Sequence, residues 1–256
     1  FFPELDDSHR WWLSSVDAAY GLSPRESSTL INWKDLEGNT KSMPICDFLR
    51  DSWMFMTVDT SWTSTGDSDF KVCTVMAATP DNELFVLDIW GAQCDENTLI
   101  KNIFEIADKW RVPSIHPEVV RQSIALYQNL DSLVKQRATE MFGVAHMPKI
   151  VPLKVGMVSK SARIGALQFR FENGLIKFPL EKRMDRHWSM LFDQIEQFNP
   201  EVADGGLAKD DHLDTISMSG NILKGRVNRN PENIEDDRTT EERLLDGELV
   251  DDVGTP

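Results

Sequence analysis

Residues 53–90 read WMFMTVDTSWTSTGDSDFKVCTVMAATPDNELFVLDIW. Three runs in this stretch have strand character: Trp53–Asp59, Phe70–Ala78 and Glu83–Trp90. A polar Ser/Thr/Gly loop, Thr60–Ser68, separates the first two, and the turn Thr79-Pro80-Asp81-Asn82 separates the second and third. Connections this short imply antiparallel neighbours. The first run is apolar throughout and then ends in a carboxylate, Asp59. A buried, unpaired carboxylate is costly, so it persists most easily where a strand end is solvated or a cation neutralises it.

Working outward, Asp95–Trp110 has helical spacing, with Leu99, Ile103, Ile106 and Trp110 on one face and Asp95 as cap. Val112–Glu118 is short, apolar and interrupted by proline, which fits a strand after that helix. Val119–Phe142 reads as a long amphipathic helix with Ile124, Leu126, Leu130, Leu133 and Val134 inward, and Lys149–Val155 as another strand. Gln168–Phe171 and Leu175–Phe178 flank Asn173-Gly174, a type I′ hairpin signal. Leu180–Phe198 reads as a helix carrying Met184, Trp188, Leu191, Ile195 and Phe198, and Asp211–Leu223 as the last helix. The expected fold is therefore α/β: a mixed sheet of three antiparallel strands followed by parallel ones, flanked by helices, with an added β-hairpin. Residues 1–50 have poor periodicity and read as a linker or the edge of a missing upstream domain. Residues 51–227 would form the main domain, and 228–256 an acidic, mobile tail.

The chain has 256 residues, enough for a real core, and its 41% hydrophobic and 27% charged residues are those of an ordinary soluble globular protein. No apolar run approaches the ~20 residues of a membrane span. The first residue is Phe1 rather than Met and no signal pattern follows, so the chain reads as a piece of something longer. Cys46, Cys73 and Cys94 lack metal-ligand spacing and read as free thiols. The net charge of −15 argues against a simple nucleic-acid binder. That charge is uneven, because residues 232–252 carry ten acids against Arg238 and Arg243, which leaves −7 on the rest.

Acidic residues recur where they could meet Asp59. Glu118 ends a later strand able to run beside it, and Asp210, Asp211 and Asp214 open the final helix, where acids also serve as ordinary caps. Carboxylates gathered from distant parts of a chain make an oxygen-rich cage suited to Mg²⁺ or Mn²⁺. Two such ions can activate a water and stabilise the leaving oxygen of a phosphodiester without a protein nucleophile. In that chemistry Asp59 would bridge both ions, Glu118 would hold one, and Asp211 with Asp210 or Asp214 the other.

These residues lie in TVDTSWTSTGDSDFKVCTV (57–75), VPSIHPEVV (112–120), KSARIGALQFRFENGLIKFP (160–179) and KDDHLDTISM (209–218). Together the segments resemble the C-terminal nuclease domain of tailed-phage terminase large subunits, over roughly Trp53 to Leu223. The resemblance implies a ribonuclease H-like fold, Mg²⁺ or Mn²⁺ dependence, and endonucleolytic cleavage of concatemeric double-stranded phage DNA during packaging. It implies Asp59, Glu118 and Asp211 as the catalytic metal ligands, with Asp210 and Asp214 as close accessories. Asp67 or Asp69 matches a further acid that family members often carry. His116-Pro117 before Glu118 departs from the family's usual apolar approach. The resemblance also implies the portal and the small terminase subunit as partners, and the host cytoplasm as location. Phe1–Leu5 resembles the link that leaves the motor domain. No G-x-x-x-x-G-K-[ST] loop occurs, so the chain should cut DNA without pumping it.

Lys154, Lys160, Arg163 and Arg170 fall in a stretch with little acid and read either as a DNA-backbone track or as a solvated face. His212 could ligate metal or orient a water, although a lone helical histidine is more often structural. Two other readings stay open: a junction resolvase of the same fold, and a non-catalytic packaging module that docks through its acidic tail.

Overall fold

Strand β4 (Trp53–Asp59) lies inside a six-stranded sheet and is buried from Met54 to Asp59. Its alternate residues serve two different layers. Met54, Met56 and Val58 join one core with Leu99, Ile103, Ala107 and Trp110 of helix α2 (Glu96–Trp110). Thr57, on the other face, donates from Oγ1 to the Thr215 carbonyl of helix α7 (Asp211–Ser217) at 2.8 Å. A strand covered on both faces has no solvent side, which is why its sequence does not alternate.

The computed structural model describes residues 1–14, 24, 27, 29–35, 37–60, 70–119, 124–140, 146–154, 158–200 and 210–227. β4 pairs antiparallel with β5 (Lys71–Ala78), which pairs antiparallel with β6 (Leu84–Ala92). On its other side β4 pairs parallel with β7 (Ser114–Pro117), and β7 with β8 (Lys149–Ile150). Helix α2 makes the crossover from β6 to β7, starting at the Asp95 cap, whose carboxylate accepts from the Thr98 amide at 2.7 Å. Helix α3 (Ile124–Glu140) lies between β7 and β8 in the chain. The short β9 (Ile176–Lys177) adds parallel to β6, giving the order β8-β7-β4-β5-β6-β9. This is the sheet expected of a ribonuclease H-like fold. No helix among the described residues is long and apolar enough to cross a membrane.

Several expectations need correction. The first fifty residues, read as a linker or the edge of a missing upstream domain, include β1 (Trp11–Ser14), β2 (Leu30–Lys34) and β3 (Thr40–Pro44), a second antiparallel sheet, followed by α1 (Ile45–Asp51). Trp11, Ile31, Ile45, Phe48 and Leu49 belong to the main core. The β-hairpin around Asn173-Gly174 does not form. Gln168–Glu172 is helix α5, because Ile164, Leu167 and Phe171 are buried at helical spacing. Gly174 has φ +59°, but Asn173 has φ −104°, whereas a type I′ turn needs positive φ at both. The pair ends a helix instead.

The helix expected over 180–198 is a short 3₁₀ turn, Leu180–Lys182, and then α6 (Arg186–Gln197); Met184 lies between them and is 90% exposed. Ile124 is also exposed. The last helix breaks at Met218 into α7 and α8 (Ser219–Val227). Cα proximity divides the chain into two units, Phe1–Gly220 and Asn221–Pro256. The described part of the second is the helical stretch 221–227.

Candidate metal centre and nuclease site

The sheet and α7 fix where the acids meet. Parallel pairing of β4 with β7 sets Val58 against Pro117, and the next residue, Glu118, donates its amide to the Val58 carbonyl at 2.9 Å. Glu118 therefore stands alongside Asp59 at the rim. Asp59 shares the face of Thr57, two residues away, as strand alternation requires. Thr57 is bonded to Thr215, and Asp211 lies one helical turn before Thr215, toward the helix start. The Thr74 and Thr215 hydroxyls, 2.6 Å apart, pin the same turn to β5. One strand step and one helical turn thus carry Asp59 and Asp211 toward each other.

The electrostatics record this convergence. Burial raises the Asp59 carboxyl from 3.8 to about 7, with Asp214, Glu118 and Asp211 adding repulsion and Lys160 opposing it. Glu118 is raised by burial and then by Asp214, against Arg163 and Lys160. Asp210 is raised by burial, which outweighs Lys160.

Among the described residues, two cations answer these acids, both from α4 (Lys160–Gly165), a helix capped by the Ser159 hydroxyl. Lys160 and Arg163 are three apart and share a face. Lys160 Nζ lies 2.6 Å from Asp210 Oδ1 and 2.8 Å from Asp211 Oδ1. Arg163 grips Asp214 with Nη2 at 2.7 Å and Nε at 3.3 Å, and reaches Glu118 at 3.9 Å. Asp214 is buried and also accepts from the Ser217 hydroxyl at 2.7 Å.

Of the residues singled out in the sequence, Asp59, Glu118, Asp210, Asp211 and Asp214 come together, joined by Lys160 and Arg163. Lys154 is exposed and follows Leu153, which bridges to Glu118, so it flanks the rim. Arg170 does not join them. Its guanidinium donates to the Asn82 carbonyl at 2.7 Å and to Asn82 Oδ1 at 2.8 Å, in the turn after Ala78. Ala78 pairs with Trp53, at the end of β4 opposite Asp59.

His212 is fully buried: Nδ1 meets Gln194 Nε2 at 3.2 Å and the ring lies on Gly91 and Phe70. Burial lowers its pKa to about 4, which leaves a neutral ring. Asp67 and Asp69 lie outside the described residues. Sequence reasoning missed the threonines; Thr57, a hydroxyl two residues before Asp59 in an apolar run, was the available signal.

Among the described residues, five carboxylates here face two cations. Among the described residues no three acidic, histidine or cysteine side chains form a ready-made ion cage, because the acids turn to Lys160 and Arg163. The donor set is nonetheless all oxygen with surplus negative charge, which fits a hard divalent cation.

No protein-family model and no curated protein matches the sequence. Among solved structures, the chain is similar to the human cytomegalovirus terminase nuclease domain (12% identity, 66% of this chain and 82% of that one, TM-score 0.46). It is similar to the large terminase nuclease from thermophilic phage G20c (13% identity, 75% and 87% covered, TM-score 0.44). It is also similar to the yeast mitochondrial Holliday junction resolvase (12% identity, 72% and 94% covered, TM-score 0.37).

Proposed function

We propose that this chain is a metal-dependent DNA endonuclease of the terminase type, acting on concatemeric double-stranded DNA during viral genome packaging. One observation carries the reading: acids from β4, the end of β7 and the first turn of α7 converge at one sheet rim, with Asp59 held partly protonated near neutral pH. A cluster that resists carrying its own charge is one that gains from a cation. Asp59, Glu118 and Asp211 would hold Mg²⁺ or Mn²⁺, two ions in all, with Asp210 and Asp214 beside them. When bound, such ions supply Lewis acidity and an activated water for phosphodiester hydrolysis.

The chain's own residues supply position. Thr57 and Thr74 hold α7 against the sheet, so the acids are set before substrate arrives. Lys160 and Arg163 keep the cluster compact and, among the described residues, are cations available to an approaching phosphate, with Lys154 at the flank. Within this proposal residues 51–227 form the nuclease body, to which β1–β3 add a second sheet. Residues 228–256 form an acidic tail, and the portal and small subunit are the packaging partners in the host cytoplasm.

Supercoiled plasmid incubated with Mn²⁺ tests the activity. Wild type should nick and linearise it, whereas Asp59→Ala and Asp211→Ala should leave it intact. An inactive wild type, or variants that cut equally well, would end the reading.

A further inference from the structure

Helix α7 starts without a side-chain cap from its own cap residue. The first amides of a helix have no intrahelical acceptor, and an aspartate at the N-cap ordinarily takes one with its side chain. Asp210 holds that position, yet its carboxylate makes no capping hydrogen bond and lies against Lys160 instead. The Leu213 amide, within a capping side chain's usual reach, donates to Gln194 Oε1 on α6 at 3.0 Å. The Nε2 of the same side chain meets His212 Nδ1 at 3.2 Å. Gln194 thus grips both residues between Asp211 and Asp214.

The grip has a firm base. Helix α6 buries Trp188, Leu191, Phe192 and Ile195, and His187 Nδ1 accepts from the Gly91 amide of β6 at 3.3 Å. The His212 ring that Gln194 holds sits so close to Gly91 that a Cβ there would come within 2.5 Å of Nε2. Gly91 is aligned through Val72 with Asp59 across the sheet. Sheet, α6 and α7 therefore close a loop of contacts around the first turn of α7.

We propose that Gln194 is a positioning residue: it caps α7 from a neighbouring helix and so frees the Asp210 carboxylate to stand with Lys160 at the acidic rim. An ionised carboxylate is a stronger partner than a neutral amide for a helix N-terminus. Without Gln194, Asp210 turns to the Leu213 amide and leaves the rim. The capping half of the proposal stands on geometry alone. The consequence for metal binding rests on the proposed nuclease reading.

A double-mutant cycle on the full chain tests both halves, with Gln194→Ala, Asp210→Ala, the pair combined, and Gln194→Glu. Asp210→Ala alone should barely move the thermal midpoint. In the Gln194→Ala background the same change should remove a further ~2–4 °C, because it deletes the substitute cap. Additive midpoints overturn the capping role. Calorimetric titration with Mn²⁺ should show Gln194→Ala weakened roughly tenfold, the scale of losses from residues that orient metal ligands. Gln194→Glu keeps the acceptor and should recover most of that affinity. Unchanged Mn²⁺ affinity in Gln194→Ala overturns the positioning role. A wild type that binds no Mn²⁺ overturns the metal reading, while the midpoint cycle still decides the cap.

Discussion

Asp59→Asn should make the metal-free protein more stable at alkaline pH while abolishing its nuclease activity. The Asp59 carboxyl is raised from 3.8 to about 7, chiefly by burial and then by Asp214, Glu118 and Asp211. The folded state thus holds this proton more tightly than the unfolded chain does. The sign follows by linkage: ionisation costs the fold nothing below about pH 4, costs progressively more between about 4 and 7, and a constant amount above. Three pH decades at about 1.4 kcal/mol each set the upper bound near 4 kcal/mol. Asparagine keeps the shape and cannot ionise, so that cost disappears. Urea unfolding in EDTA should show the variant more stable by up to about 4 kcal/mol at pH 8, with the gap closing towards pH 4. Mn²⁺ at pH 8 should stabilise wild type far more than the variant. A stability difference independent of pH, or a variant weaker at pH 8, would refute this reasoning.

Thr57→Val keeps the shape but deletes the hydroxyl that donates to Thr215, and should cost about 1–2 kcal/mol in chemical denaturation, with DNA nicking falling further than stability explains. Arg163→Met strips the buried Asp214 of its main cation and should cost about 3–5 kcal/mol by urea unfolding without divalent ions. Mn²⁺ should recover more stability in that variant than it adds to wild type. Gly91→Ala forces the His212 ring off β6, and should cost about 1–3 kcal/mol by thermal unfolding while lowering Mn²⁺-dependent nicking.

The central sheet was legible because its signals are local. Apolar runs, a Pro-Asp-Asn turn and the Asp95 cap each act within a few residues, and β4, β5, β6 and α2 form where they predict. Asp59 was legible as a charge at the end of an apolar run. The approach of Asp211 was less so, because it is set by a Thr57–Thr215 bond across 158 positions of chain. Lys160 and Arg163 read either as a DNA-backbone track or as a solvated face, since spacing places them on one face of α4 but cannot say that the face meets acids. The Asn-Gly dipeptide misled because the same residues that favour a hairpin also end helices, and the burial of Ile164, Leu167 and Phe171 decided between them. The first fifty residues were unreadable because β1–β3 are four or five residues each, too short for periodicity to register.

A crystal soaked in Mn²⁺, with data collected at the manganese edge, tests the central claim most directly. Anomalous peaks are expected among Asp59, Glu118 and Asp211, with Lys160 displaced from Asp211. Peaks confined to other surfaces, or a rim that keeps both cations in place at saturating Mn²⁺, would contradict it.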